Sequence, residues 1–311
     1  MRADVPTAPT RPVGALAATI VRQYIRYAPG NLLKAPLVDR YLDDRLRRHD
    51  LRRIATTRFG ARLAVATHDC IPRFIHMFGV WEPNLTDWIA RRLSLGDVFV
   101  DVGANIGYFS VLASKLVGPA GRVVAIEPSP HVLPLLERNL ALNGCDNVRV
   151  VACAAGDHHE TVPFFVRRRN NLGGTSRFRR DRALTPAFHA EARPLPDLLT
   201  PEEVARARII KIDVEGSEAA VIRSLTPILG LLRPDAEVTA EIIPKLVTAT
   251  GGVAAVIAPL VDSGFHTYRI PNDYRPSSYL DWRTPQPPTP WCGRADADLD
   301  LVFSRIRAEE L

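Results

Sequence analysis

Residues Val98 to Gly107 read V-F-V-D-V-G-A-N-I-G, and Glu127 follows twenty positions after the last glycine. This grouping of a carboxylate, two glycines and a distant second carboxylate can hold a nucleoside. Val98 to Val102 is a short apolar run rich in β-branched residues, as expected of a buried parallel strand. Gly103 and Gly107 permit a tight turn and close approach of a ligand to backbone. A carboxylate at the end of the following strand, Glu127, can accept two hydrogen bonds from a ribose diol. The glycine spacing discriminates between cofactors. A dinucleotide fingerprint is G-x-G-x-x-G, which lets a helix N-terminus approach a pyrophosphate. The pattern here is D-x-G-x-x-x-G, with Asp101 two residues before the first glycine. A carboxylate facing a pyrophosphate would repel it. S-adenosylmethionine has no phosphate and carries a sulfonium and an ammonium, so an acidic residue at the loop suits it.

Alternating strands and helices must position these residues. Ile106 to Leu116 has apolar positions at helical spacing, Arg122 to Ile126 is a second strand, and a helix from His131 to Asn143 leads to a strand over Val148 to Ala152. Further strands are expected at Thr161 to Val166, Ile209 to Ile212, Glu237 to Ile243, Phe265 to Ile270 and Leu299 to Arg305, with a helix from Ser217 to Leu225. Such alternation predicts a doubly wound α/β sheet, mostly parallel. Pro83 to Leu93 should be a helix that Gly96 stops. Tyr274 to Pro290 is Pro-rich and lacks periodicity, so it reads as a loop or lid.

Residues 1–12 carry three prolines and no periodicity and are expected to be a disordered tail. Residues 13–80 read as a mainly helical extension, with helices interrupted at Pro29 and Pro36, a strand over Ala61 to Ala66, and Tyr41, Leu42, Leu46 and Leu51 as buried candidates. Residues 81–311 are expected to form the main domain. Val13 to Val21 is apolar but short and is followed by Arg22 and Arg26, so it reads as the start of an amphipathic helix. No run approaches the roughly 18 apolar residues of a membrane span. Cys70, Cys145, Cys153 and Cys292 are scattered without a C-x-x-C, which fits reduced thiols in a cytoplasm.

The net charge of +6 is unevenly placed. Residues 1–80 carry 14 Lys and Arg against 6 Asp and Glu, whereas the remainder carries 26 against 28. The basic surplus suits either a solvated helix surface or peripheral contact with an acidic membrane, a nucleic acid or an anionic substrate.

A second motif, Ile209 to Glu218, reads I-I-K-I-D-V-E-G-S-E. A buried strand ends in Asp213, with Glu215 and Gly216 in the turn and a helix beyond. Carboxyl ends of strands are where open α/β sheets bind ligands. Together with D-V-G-A-N-I-G-Y-F-S and I-E-P-S, this stretch resembles the FkbM family of S-adenosylmethionine-dependent methyltransferases. D-V-G-A-N-I-G alone resembles class I methyltransferases broadly; K-I-D-V-E-G-x-E adds the specificity. The resemblance spans Trp81 to Arg305 and leaves out the first 80 residues. It implies a seven-stranded Rossmann-like sheet and O-methylation of hydroxyls on glycans, glycolipids or secondary metabolites. It also implies that Asp101, Gly103, Asn105 and Gly107 form the cofactor loop, that Glu127 holds the ribose, and that Pro128 and Ser129 follow it as in relatives. Ala155, Gly156 and Asp157 fall where class I enzymes contact the adenine. Glu82, in W-E-P, resembles a segment that closes over the cofactor. Asn171, Gly174 and Ser176 correspond to an Asn/Gly/Ser-rich segment at the active-site rim.

Methyl transfer needs an acceptor oxygen that is positioned and loses its proton. Asp213, Glu215 and Glu241 are the candidate acids and bases, with Glu241 placed beside Asp213 if their strands are neighbours. Asp213 also suits a cofactor contact or a helix cap, and Glu215 a capping role. A paired carboxylate could instead hold a divalent ion that lowers the hydroxyl's pKa. No H-x-E or C-x-x-C pattern supports a metal, and the residues leave base and metal open. Glu218 reads as first-turn helix charge, and Lys211 as a partner for one of the acids.

Other classes fit less well. A base-amino methyltransferase would resemble N-P-P-Y, and a cytosine-C5 enzyme P-C, where this chain has D-V-E-G, so nucleic acid is disfavoured as a partner. The glycine spacing disfavours an NAD-dependent oxidoreductase. A non-catalytic binding protein on the cofactor fold is opposed by the intact Asp101, Gly103, Gly107 and Glu127. Arg167 to Arg182 reads R-R-R-N-N-L-G-G-T-S-R-F-R-R-D-R, seven arginines against one aspartate. Arginine forks bind phosphate, sulfate or carboxylate, so this loop is expected to grip an anionic acceptor. Replacing Arg167, Arg168 and Arg169 by Gln should raise the acceptor KM about tenfold or more with kcat retained; unchanged steady-state kinetics would overturn that role.

Overall fold

The computed structural model describes residues 12–166, 175–176, 185–214, 216–295 and 297–307. The chain begins with helix α1 (Pro12–Tyr27), followed by α2 (Lys34–Leu37), a π-turn (Val38–Leu42) and α3 (Asp43–Arg48). Pro36 does not interrupt this second helical stretch as expected. It lies in the first turn, where a missing N–H leaves no bond unmade. β2 (Arg62–Ala66) is the strand expected over Ala61 to Ala66, whereas β1 (Arg52–Thr56), which pairs antiparallel with it as a hairpin, replaces expected helix. Leu42 and Leu46 are buried, and Tyr41 and Leu51 pack against them in part. Two helices, α4 (Cys70–Phe78) and α5 (Pro83–Arg92), lead into the sheet.

The central sheet comprises β3 (Val98–Val102), β4 (Arg122–Ile126), β5 (Val148–Val151), β10 (Ala207–Ile212), β11 (Glu237–Ile242), β12 (His266–Ile270), β13 (Thr289–Pro290) and β14 (Leu299–Ser304). Their order is β13-β12-β14-β11-β10-β3-β4-β5. The expected seven strands are present, with the two-residue β13 added at one edge. From β5 to β11 the pairing is parallel; β14 runs antiparallel between β11 and β12. A second small sheet is built from β6 (Ala154–Gly156), β7 (Glu160–Val166), β8 (Thr175–Ser176) and β9 (Phe188–Pro194).

Strand parity divides the core into two layers. On β3, Val98, Val100 and Val102 face a cluster with helices α9 (Glu218–Leu225) and α11 (Gly252–Asp262). Phe99 faces the opposite cluster, with α6 (Tyr108–Val117), α7 (Leu133–Asn143), α4, α5 and the N-terminal helices. Successive strand residues point to opposite faces, which yields this two-sided burial from one apolar run. The remaining helices are α8 (Pro201–Arg206) and α10 (Pro244–Val247). Thr200 and Glu203 start α8 with a reciprocal capping box. Tyr274 to Pro290 is more structured than a loop. Pro276–Asp281 forms a helical turn that buries Tyr279 among Phe74, Phe78 and Trp81.

Asn139 ties the hairpin to the main body. Its Oδ1 accepts the Ala64 N–H (2.7 Å) and its Nδ2 donates to the Ile106 carbonyl (2.8 Å), with the side chain fully buried. Leucine at this position would strand both backbone groups. Asn139→Leu should therefore cost about 2–4 kcal/mol of unfolding free energy, measurable by urea denaturation; a loss below about 0.5 kcal/mol would mean water replaces both bonds.

Candidate active site

The order of β10 and β3 makes a topological switch point: the chain leaves β3 toward β4 on one side and returns to β10 on the other. Open α/β sheets bind ligands at such a crevice. A cleft lies there. Gly103 and Asn105 line it after β3, Glu127 and Pro128 after β4, and Ala155 on β6. Val162, Phe164 and Ala192 of the small sheet supply an apolar wall. Asp213, Val214 and Ser217 close the side after β10.

Backbone geometry shapes this cleft. Gly103 has φ +82°, and a Cβ there would coincide with the Asp213 carbonyl oxygen. The loops after β3 and β10 thus touch backbone to backbone, which only glycine permits. Asn105 also sits in the left-handed region (φ +50°), where Asn is better tolerated than most residues. That turn aims the Asn105 N–H at Glu127 Oε2 (2.9 Å), while Ser129 N–H meets Oε1 (2.9 Å). Burial dominates over these bonds and pushes the Glu127 carboxyl up to about 7.

Not every expected residue faces the cleft. Asp101 is buried behind the loop, where Ser110 Oγ donates to its Oδ2 (2.6 Å) and Lys211 Nζ lies 3.7 Å from Oδ1. Strand parity explains the placement: Asp101 and Lys211 are register partners, on the face opposite Val100 and Val102. Gly107 starts α6 against Leu136. Asp157 is turned to Arg223 (2.7 Å) and His158 and is absent from the cleft lining. Gly156 lies on β6 outside that lining as well. Glu215, Asn171, Gly174 and Arg167 to Arg169 lie outside the described residues. Ser176 belongs to β8, paired with Phe165.

Register gathers a row of carboxylates beside the cleft. Ile212 pairs with Ala240, so Asp213 and Glu241 follow as neighbours, and Glu241 is the register partner of Asp300 on β14. Lys211 Nζ donates to Asp213 Oδ2 (3.2 Å), the pairing expected of it. Glu82 meets this row from the start of α5, at a left-handed φ of +41°. Tyr274 Oη donates to Glu82 Oε1 (2.7 Å), and Tyr279 Oη accepts the Glu82 N–H (3.2 Å). Glu82 does not line the cleft; it is buried under these tyrosines. Desolvation, then repulsion from Asp300 and Asp213, pushes Glu82 up to about 8. Desolvation, reinforced by Asp213, pushes Asp300 up to about 7. Asp213 belongs to both the cleft and the carboxylate row.

Three residues escaped the sequence reading. Asp300 lies in an L-D-L strand with no local mark of its neighbours. Tyr274 comes from the stretch read as a loop. Glu218 stands in the first turn of α9 as expected, but its burial and its bonds were not foreseen: its Oε1 accepts the N–H groups of Gly216 (2.8 Å) and Val214 (3.3 Å). It holds the backbone at Val214 and Gly216, and its place at the end of the motif was the available signal. Among the described residues no group of three His, Cys, Asp or Glu side chains is placed to hold a metal ion.

A Rossmann-like sheet of this order, with a cleft at the switch point and a carboxylate at the end of β4, is the arrangement of class I, S-adenosylmethionine-dependent methyltransferases. Residues 101–246 match the methyltransferase FkbM domain, the family whose motifs the sequence resembles. Methyltransferase sdnD of Sordaria araneosa is 26% identical over 208 residues, covering 58% of this chain and 78% of that protein. Methyltransferase 1 of Beauveria bassiana is 27% identical over 143 residues, covering 40% of this chain and 57% of that protein. Among solved structures, methyltransferase FkbM from Methylobacillus flagellatus KT aligns with a TM-score of 0.40 at 14% identity, over 75% of this chain and 52% of that one.

The buried acids have a consequence for stability. Each has a folded pKa above its unfolded value, so the stability it contributes is complete below about pH 4.5 and is lost as pH rises through the folded value. The ligand-free protein should lose unfolding free energy between pH 5 and about 8, the last part of it through Glu82. Glu82→Gln should flatten the pH 7–9 portion in denaturation measured across this range; an unchanged slope would mean that Glu82 does not titrate there.

Proposed function

We propose that the protein O-methylates a hydroxyl of a small-molecule or glycan acceptor. In this reading residues 81–311 form the catalytic domain and 13–80 an extension packed on it. What carries the reading is the position of Asp213, which lines the cleft and heads the row of carboxylates. S-adenosylmethionine, when bound, supplies the methyl group as an electrophilic carbon on a sulfonium. Glu127 would hold the ribose hydroxyls, with Pro128 and Ser129 fixing its position. Ala155, Val162 and Phe164 would flank the adenine. The backbone of Gly103 and Asn105 would receive the remainder of the cofactor.

The acceptor hydroxyl is weakly acidic and must shed its proton as the oxygen gains a carbon bond. In this scheme Asp213 takes that proton. Its Oδ2 is fixed by Lys211, which leaves the other oxygen for the acceptor. Glu241, next in the row, is the second candidate base, and Glu215 in the D-V-E-G turn the third. At neutral pH Glu82 holds its proton and bonds Tyr274, which limits the negative charge crowded beside Asp213. Asp101 acts from behind, orienting Lys211 rather than touching cofactor. The seven arginines between Arg167 and Arg182 favour an anionic acceptor. Four unpaired cysteines accord with a reducing compartment such as the cytoplasm.

Calorimetric titration with S-adenosylhomocysteine and methylation assays with labelled donor test the scheme together. Wild-type protein should bind the ligand at micromolar strength, and Glu127→Ala should weaken binding by about tenfold or more. Asp213→Asn should keep binding within about threefold while kcat falls by about 10²–10⁴. Absence of binding by folded wild-type protein would overturn the cofactor assignment, and an unaffected kcat in Asp213→Asn the role of the base.

A further inference from the structure

A second pocket lies in the N-terminal extension, well outside the matched segment. It sits between α1, the 34–48 helical stretch and the hairpin. Arg22, Arg45, Arg53, His49 and His76 line it, over apolar Ala18, Leu42, Leu46 and Leu51. No carboxylate among the described residues lines it. None of the three guanidinium groups makes a hydrogen bond or ion pair with a described residue. This contrasts with Arg26, Arg58 and Arg73 nearby, whose guanidinium groups bond carbonyls or Asp43. Unopposed guanidinium groups converging on a pocket form a site for an anion, with forks that match phosphate geometry. The crowding is felt by neighbours: burial, then Arg22, Arg53 and Arg26, hold His76 down to about 4.

The surface beside this pocket is apolar. Leu16, Ile20 and Tyr27 of α1 are about 60% exposed, and Leu32 and Leu33 in the following turn still more so. At 3.6 residues per turn, Leu16, Ile20 and Tyr27 fall within about 40° of one another on the helix, with Thr19 and Arg22 on the flank that leads into the pocket. An exposed apolar stripe next to a cationic pocket suits an interface that is greasy below and anionic above. That is the cross-section of an anionic bilayer. Nucleic acid would use the cations but leave the stripe in water. No described helix is long and apolar enough to cross a membrane, so the contact would be peripheral.

We propose that this pocket receives the phosphate of an anionic membrane lipid while the α1 stripe enters the bilayer interface, docking the methyltransferase on a membrane surface. The inference does not depend on the acceptor or on the base.

The full chain can be tested by co-sedimentation with vesicles of phosphatidylcholine, with and without phosphatidylglycerol. Wild-type protein should sediment only with the anionic vesicles. Arg22→Gln/Arg45→Gln/Arg53→Gln should lower partitioning on the order of a hundredfold, at about fivefold per basic residue near an anionic surface. Leu16→Ser/Ile20→Ser should weaken it at least tenfold, as expected on removing about 2 kcal/mol or more of apolar burial. Undiminished binding of S-adenosylhomocysteine by both variants would certify their folding. Three results would overturn the proposal: no sedimentation of wild-type protein, binding of inorganic phosphate without vesicle binding, or partitioning indifferent to the arginines. Sedimentation-velocity analysis showing a dimer that the Leu16→Ser/Ile20→Ser variant dissociates would assign the stripe to a second copy instead, as preferential binding of RNA over vesicles would assign the arginines to nucleic acid.

Discussion

The ammonium of Lys211 stands among carboxylates that the sheet cannot separate. It shares a strand face with Asp101 by register and with Asp213 by sequence; Lys211 and Asp101 are buried, and Asp213 is partly exposed at the cleft. Removing opposed charges from water costs several kcal/mol each unless they meet in good geometry. The row survives because its members take different protonation states. Lys211 stays charged, its pKa raised by Asp213, Asp101 and Glu82 against the effect of burial. Glu82 and Asp300 move toward neutrality. One cation thus serves several acids, and the acid at the cleft edge is the one it grips at hydrogen-bond distance.

That arrangement is fixed from outside as well as within. Tyr274 stacks on Trp81 and reaches Glu82, while Tyr279 fills the space between α4 and Trp81. The Pro-rich stretch therefore acts as a cover for the buried charges rather than as a free loop. On the other side, Glu218 supplies acceptors for two N–H groups of the turn after β10. The turn that carries Asp213 is consequently held at both ends, by Lys211 and by Glu218.

Much of this was legible in the sequence because parallel α/β sheets advertise themselves. Buried strands read as β-branched runs, and their boundaries fell within a residue or two. The cleft residues Gly103, Asn105, Glu127 and Asp213 follow from strand ends, which a local pattern marks. What a local pattern does not mark is parity and neighbourhood. Asp101 looked like a residue at the mouth of the loop, but counting alternate positions from Val102 sends it to the opposite face of the sheet, against α6. Asp300 and Glu241 become partners only through the antiparallel return of β14, a pairing 59 positions apart that no window reveals. Of the hairpin, β2 was expected, but β1 was hidden by an arginine-rich, helix-compatible run. The α8 helix was missed although Thr200 and Glu203 spell a capping box.

Contact between Gly103 and the Asp213 carbonyl has a thermodynamic side. The loop after β3 and the loop bearing Asp213 meet with no side chain between them to absorb a shift. A displacement of one is a displacement of the other. Ligands held by the two loops are then linked, and linkage is reciprocal: whatever factor the first ligand adds to the affinity of the second, the second returns to the first.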